Sequence, residues 1–177
     1  YPINQESLTR EIVELCKSLP VMARVEIVEM LNGLRLVSQI YVRNEKKKEY
    51  TNTIEQLQKQ GLVVDQKETE KLIIYFVSKD GGLAKEAVDL CATGVIQDHR
   101  RFGELMGFPV SSIDAYVEGL DNFLTDDEVE EMVGFKNRFV NMRLSKDNRE
   151  ESKKYLRDVY RVLLEQLPDI FEEDEKK

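Results

Sequence analysis

Apolar residues recur at helical spacing from the start of the chain. Leu8, Ile12, Leu15, Cys16 and Leu19 form one stripe behind Ser7, a good N-cap, and predict a helix over residues 8–18. Pro20 suits the first turn of a second helix carrying Val21, Val25, Val28, Leu31, Leu36, Val37 and Ile40. Those residues spread around much of its circumference, which implies deep burial, and Asn32-Gly33 offers a place for a break. Residues 45–60 start with a charged run, continue through Tyr50, Ile54 and Leu57, and stop at Gly61.

The period then turns extended. Leu62-Val63-Val64 and Leu72 to Val77 are β-branched or aromatic runs joined by a polar segment, which reads as a hairpin over about residues 62–78. The second run is apolar on both alternations, so both its faces need cover, and two strands are marginal alone. Helical patterns resume with Leu83, Ala87, Val88 and Cys91 up to Gly94, and again over residues 96–106. Gly107-Phe108-Pro109 makes a turn, with Ser111 or Ser112 placed to cap a helix bearing Ile113, Tyr116, Val117 and Leu120. Thr125 to Glu128 has capping-box spacing ahead of a helix over 126–143, and a last helix runs through Leu156, Tyr160 and Leu163 to Pro168. The expected fold is therefore α+β: one mainly helical domain over residues 1–168, with one β-hairpin packed on helices and an acidic, frayed tail at 169–177.

Charge narrows the choice of partner. The first 80 residues carry 12 basic and 12 acidic side chains, whereas the remainder carries 14 and 22, so the whole net charge of −8 arises in the second half. That balance argues against nucleic acid. A winged-helix-like DNA-binding unit over residues 45–79 is still an alternative, with Lys46, Lys47, Lys48, Lys59, Lys67 and Lys71 as phosphate contacts. No apolar run is long enough for a membrane span and the opening residues lack a secretory pattern, so a cytoplasmic location is expected. The Lys- and Glu-rich composition, without Trp, fits a heat-adapted source. A symmetric homodimer is one way to cover the apolar excess of residues 20–43 and the open hairpin edges.

Motifs for phosphate-binding loops, dinucleotides, nucleophile elbows and zinc sites are missing, and the acid-rich stretch at 121–128 lacks the central Gly of a calcium loop. Cys16 and Cys91, 75 residues apart in helical patterns, read as core residues. No cofactor, metal or catalytic residue is expected. What remains is Asp98-His99-Arg100-Arg101 ahead of the turn. His99, Arg100, Arg101, Ser111 and Ser112 are the candidate ligand-binding residues: a guanidinium from one helix closing over the amides of the next would hold a small anion. Asp114 could instead cap those amides itself. The function expected is a non-catalytic binding or regulatory module for a small anion or a protein partner. A small enzyme built on His99 ranks behind it and behind the DNA-binding alternative.

Residues 72–118 also resemble an archaeal family known as domain of unknown function 483. The resemblance lies in Ser78-Lys79-Asp80 ending a strand, the alanine-bearing helix from Ala84 to Leu90, and Gly103-Glu104-Leu105-Met106-Gly107-Phe108-Pro109. It implies a Cys-Cys pair after that turn, where this chain has Ser111-Ser112. Thiol chemistry at that point is thereby excluded, because hydroxyls are hard, weak ligands that form no disulfides.

Overall fold

The computed structural model describes residues 5–91, 95–135, 137–140 and 142–172. In chain order the elements are α1 (Gln5–Leu15), α2 (Val21–Leu31), β1 (Val37–Arg43), α3 (Lys47–Lys59), β2 (Val63–Glu68), β3 (Leu72–Ser78), α4 (Gly81–Leu90), α5 (His99–Leu105), α6 (Val110–Val117), α7 (Asp126–Val133), α8 (Arg149–Gln166) and α9 (Asp169–Glu172). This is a mainly helical α+β fold with a three-stranded antiparallel sheet in the order β1-β3-β2. Among the described residues no helix is long and apolar enough to cross a membrane.

The expected hairpin is present, and the structure adds a third strand to it. Residues 37–43, expected as the end of a long helix, form β1 instead and pair with β3 from Val37↔Ser78 to Arg43↔Leu72. The helix stops at Leu31 because Gly33 takes φ 75°, which lets Leu34 N donate to Glu29 O and Gly33 N to Met30 O. β3 thereby becomes the central strand. Ile73, Tyr75 and Val77 face a core shared with α1, α2 and α3, while Phe76 on the other face meets Ala87, Phe102 and Leu105.

The all-round apolar character of α2 has a matching cause. Its Ile27 and Met30 join the core under the sheet, whereas Val25 and Val28 join a second core with α7, α8 and α9. The apolar residues of α2 are thus largely buried within the chain, while Leu36 and Tyr41 beyond it stay exposed. α7 also ends earlier than expected, at Val133, and Phe139 and Leu144 reach the second core from irregular backbone. Pro109 rather than Ser111 or Ser112 holds the N-cap position of α6. At the far end Ile170 in α9 is buried, so packing continues past Pro168, and residues 173–177 lie outside the described part, as does Gly94.

The segment between α2 and β1 is pressed against the α5–α6 turn. Leu36 N donates to Leu105 O at 3.0 Å, and Gly107, at φ 74°, lies so close that a Cβ there would sit 2.0 Å from Leu34 O and 2.8 Å from Arg35 Cα. Gly33 has a similar φ, but a Cβ there would meet nothing within 4 Å. Gly33→Ala should therefore cost only the left-handed penalty of about 1 to 2 kcal/mol. Gly107→Ala should cost clearly more, roughly 3 kcal/mol or above, because backbone has to move. Urea unfolding of both variants checks this, and equal losses would refute the close approach.

Candidate functional site

The residues singled out from the sequence come together around α5 and α6, but their polar groups already have partners within the chain. Arg100 pairs with Asp114, so Asp114 does not cap α6. Arg101 makes a two-pronged contact with Glu86, Nε to Oε1 at 2.6 Å and Nη2 to Oε2 at 3.0 Å, and also reaches Glu104. That contact holds the Glu86 carboxyl below its ordinary pKa. The amides of Val110 and Ser111 donate to the two carboxylate oxygens of Glu151 at 3.2 and 3.1 Å, and the Ser111 hydroxyl donates to the same carboxylate. An anion at this helix start would have to displace Glu151. The Ser112 hydroxyl is turned inward and accepts from Ser145 N at 3.0 Å, tying the loop before α8 to α6.

His99 is the exception. Its ring is exposed, stands edge-on to Tyr116 with centroids 5.2 Å apart, and borders a cleft of about 290 Å³. Ile113, Tyr116, Phe123 and Met142 give this cleft a mostly apolar lining, and Arg143 closes one side with its guanidinium 4.5 Å above the Phe123 ring. Arg143 is also paired with the highly exposed Asp121 at 3.1 Å, a contact that water screens strongly. The cleft depends on Gly103, where a Cβ would come 2.9 Å from Ile113 Cγ1, so glycine is what lets α5 and α6 lie together.

A second hollow, of about 360 Å³, lies on the other side of Phe102 and Phe108, which line both spaces. Here Glu26 and Glu29, three apart on α2, share Arg35: Nη1 is 2.9 Å from Glu26 Oε2 and 3.5 Å from Glu29 Oε2. Glu26 also accepts from Gln39 N of β1 at 2.8 Å. All three charged side chains are more than nine-tenths buried. Sequence reading missed this cluster. Its only signal was acidic residues on a helix with apolar positions all round, and with residues 33–43 read as helix, Arg35 had no reason to turn back on them.

The Lys-rich unit over residues 45–79 folds as α3 followed by β2 and β3. Its lysines are interleaved with acids, and Lys47 is 3.8 Å from Glu68. Cys16 is fully buried and its thiol is pushed up to about 12 by desolvation, which makes it unreactive packing. Among the described residues no group of three or more His, Cys, Asp or Glu could hold a metal ion. The chain matches no family model, no curated protein and no solved structure.

Burial raises the pKa of Glu29 to about 7, with Arg35 opposing the rise and Glu26 adding to it. An unfolded Glu titrates near about 4.3, so between these values the folded chain holds the proton that the unfolded chain has lost. Stability from this group is full below about pH 4 and falls as pH rises through about 7, by on the order of 4 kcal/mol at most. Glu29→Gln should abolish that fall. Urea unfolding at pH 5 and pH 8 for both proteins measures it, and an unchanged difference in the Gln variant would contradict the assignment.

Proposed function

We propose that this protein is a non-catalytic binding module whose ligand is a small molecule with an apolar body and an anionic end, held in the cleft beside His99 and Arg143. The observation that carries the reading is the composition of the cleft: an apolar lining of about 290 Å³ with two basic side chains at its border. Small-ligand sites combine an apolar wall with a few placed polar groups in this way. Among the described residues Arg143 is restrained by a ring face and an exposed carboxylate, so a ligand anion can compete for it at little cost. Arg100 and Arg101, each engaged by carboxylates of the chain, have a positioning part in this reading.

The kinship with the archaeal family rests, as part of the same proposal, on Gly103 to Pro109. A cytoplasmic place of action is a further part of the same proposal. The interleaved acids on α3 and β2 favour the small-molecule reading over the DNA-binding one.

Titration with 2-naphthoate, followed by calorimetry and by chemical shifts, tests the proposal. Saturable binding should move signals at His99, Tyr116 and Phe123 and weaken about tenfold in Arg143→Gln, the loss of one charge-assisted hydrogen bond. Arg35→Lys should leave it unchanged. No saturation, or equal binding by Arg143→Gln, would overturn the proposal.

A further inference from the structure

The hollow beside Glu26, Glu29 and Arg35 has a different chemistry from the His99 cleft, and its unfilled valences define what it takes. Two carboxylates face one guanidinium, which leaves a surplus negative charge when both acids are ionised. Glu26 is held at Oε2 both by Arg35 at 2.9 Å and by the Gln39 amide at 2.8 Å. Glu29 is not so held: its carboxylate has the single 3.5 Å contact with Arg35, although its side chain is only 6% exposed. A carboxylate ionised at such depth, with one long ion-pair contact, is stabilised when a further cation joins it.

The rest of the lining says what kind of cation. Tyr41 and Tyr155 stand with Phe108 around the space, and ring faces attract alkylammonium groups while doing little for a hydrated metal ion. Too few carboxylates converge to supply the oxygen ligands that a calcium ion takes. The volume of about 360 Å³ exceeds that of a bare ion and suits a short organic chain. Access is through Tyr41, which lies on β1 on the same face as Gln39 and is 52% exposed.

We propose that this hollow is a binding site for a small organic monocation of the alkylammonium class, with Glu29 as its counter-ion and Tyr41 at its mouth. The site does not rest on the anion-binding reading of the neighbouring cleft. Each can fail alone.

The test uses the full chain at pH 8, titrated by calorimetry with n-butylammonium chloride, with sodium chloride and sodium butyrate as controls. Butylammonium should bind one to one and raise the unfolding temperature, and the controls should do neither. Glu29→Gln, which keeps the shape and the neutral form that burial favours, should weaken binding at least tenfold; Tyr41→Ala should weaken it several-fold, and Arg143→Gln should leave it unchanged. Circular dichroism establishes that each variant is folded. Absence of saturable butylammonium binding to the folded wild-type chain would overturn the proposal, as would butyrate binding in its place, or an affinity unaffected by Glu29→Gln.

Discussion

The contact on which the other features depend is the meeting of Gly107 with the backbone of Leu34 and Arg35. It presses the segment between α2 and β1 onto the α5–α6 turn, whose Phe102, Leu105 and Met106 share a core with Val37, Phe76 and Ala87 of β1, β3 and α4. Any side chain at 107 would collide with Leu34 O, so the chain can bring these segments together only with glycine there. The consequence reaches further than packing. Because the segment is pinned, and Leu36 N is bonded to Leu105 O, Arg35 is committed to the interior between α2 and the turn. Once it is there, Glu26 and Glu29 become the groups that must answer its charge.

That answer is imperfect in an informative way. Burying three ionised groups is costly, and the pairing repays the cost only where geometry is good. At Glu26 it is, with a guanidinium and a backbone amide on one oxygen. At Glu29 it is not, and the carboxyl responds by holding its proton up to about pH 7. The helix geometry gives no packing reason for the acid.

How much of this could be read from the sequence follows from which signals are local. α1, α3, the capping box at Thr125 and the two-faced burial of β3 were legible, because caps and periodicity are properties of short segments. β1 was not. Leu36, Val37 and Ile40 fit a helical stripe, and the strand shows no clean alternation because both its faces are partly covered, Ile40 and Val42 on one and Val37 on the other. The break at Gly33 was visible, yet what followed it was decided by pairing with β3, some 35 residues away in sequence. For the site the pattern repeats. His99 was found because a lone histidine stands out, whereas Arg143 and Glu151 came from a loop and a helix start distant in the chain, and only the fold relates them to α6.

The stretch that carried the family resemblance has a physical role in nearly every residue. Gly103 admits Ile113 from α6, Gly107 admits Leu34 and Arg35, Pro109 starts α6, and Phe102 and Phe108 line the two hollows between them. What differs on the two sides is charge, and this too traces to connectivity. On one side the wall is completed by α2, whose acids face inward. On the other it is completed by the loop at residues 142–143, whose arginine lies over Phe123. A single turn of backbone thus stands between a basic-edged cleft and an acid-lined hollow, and its aromatic rings line both spaces, each of which would attract charge of the opposite sign.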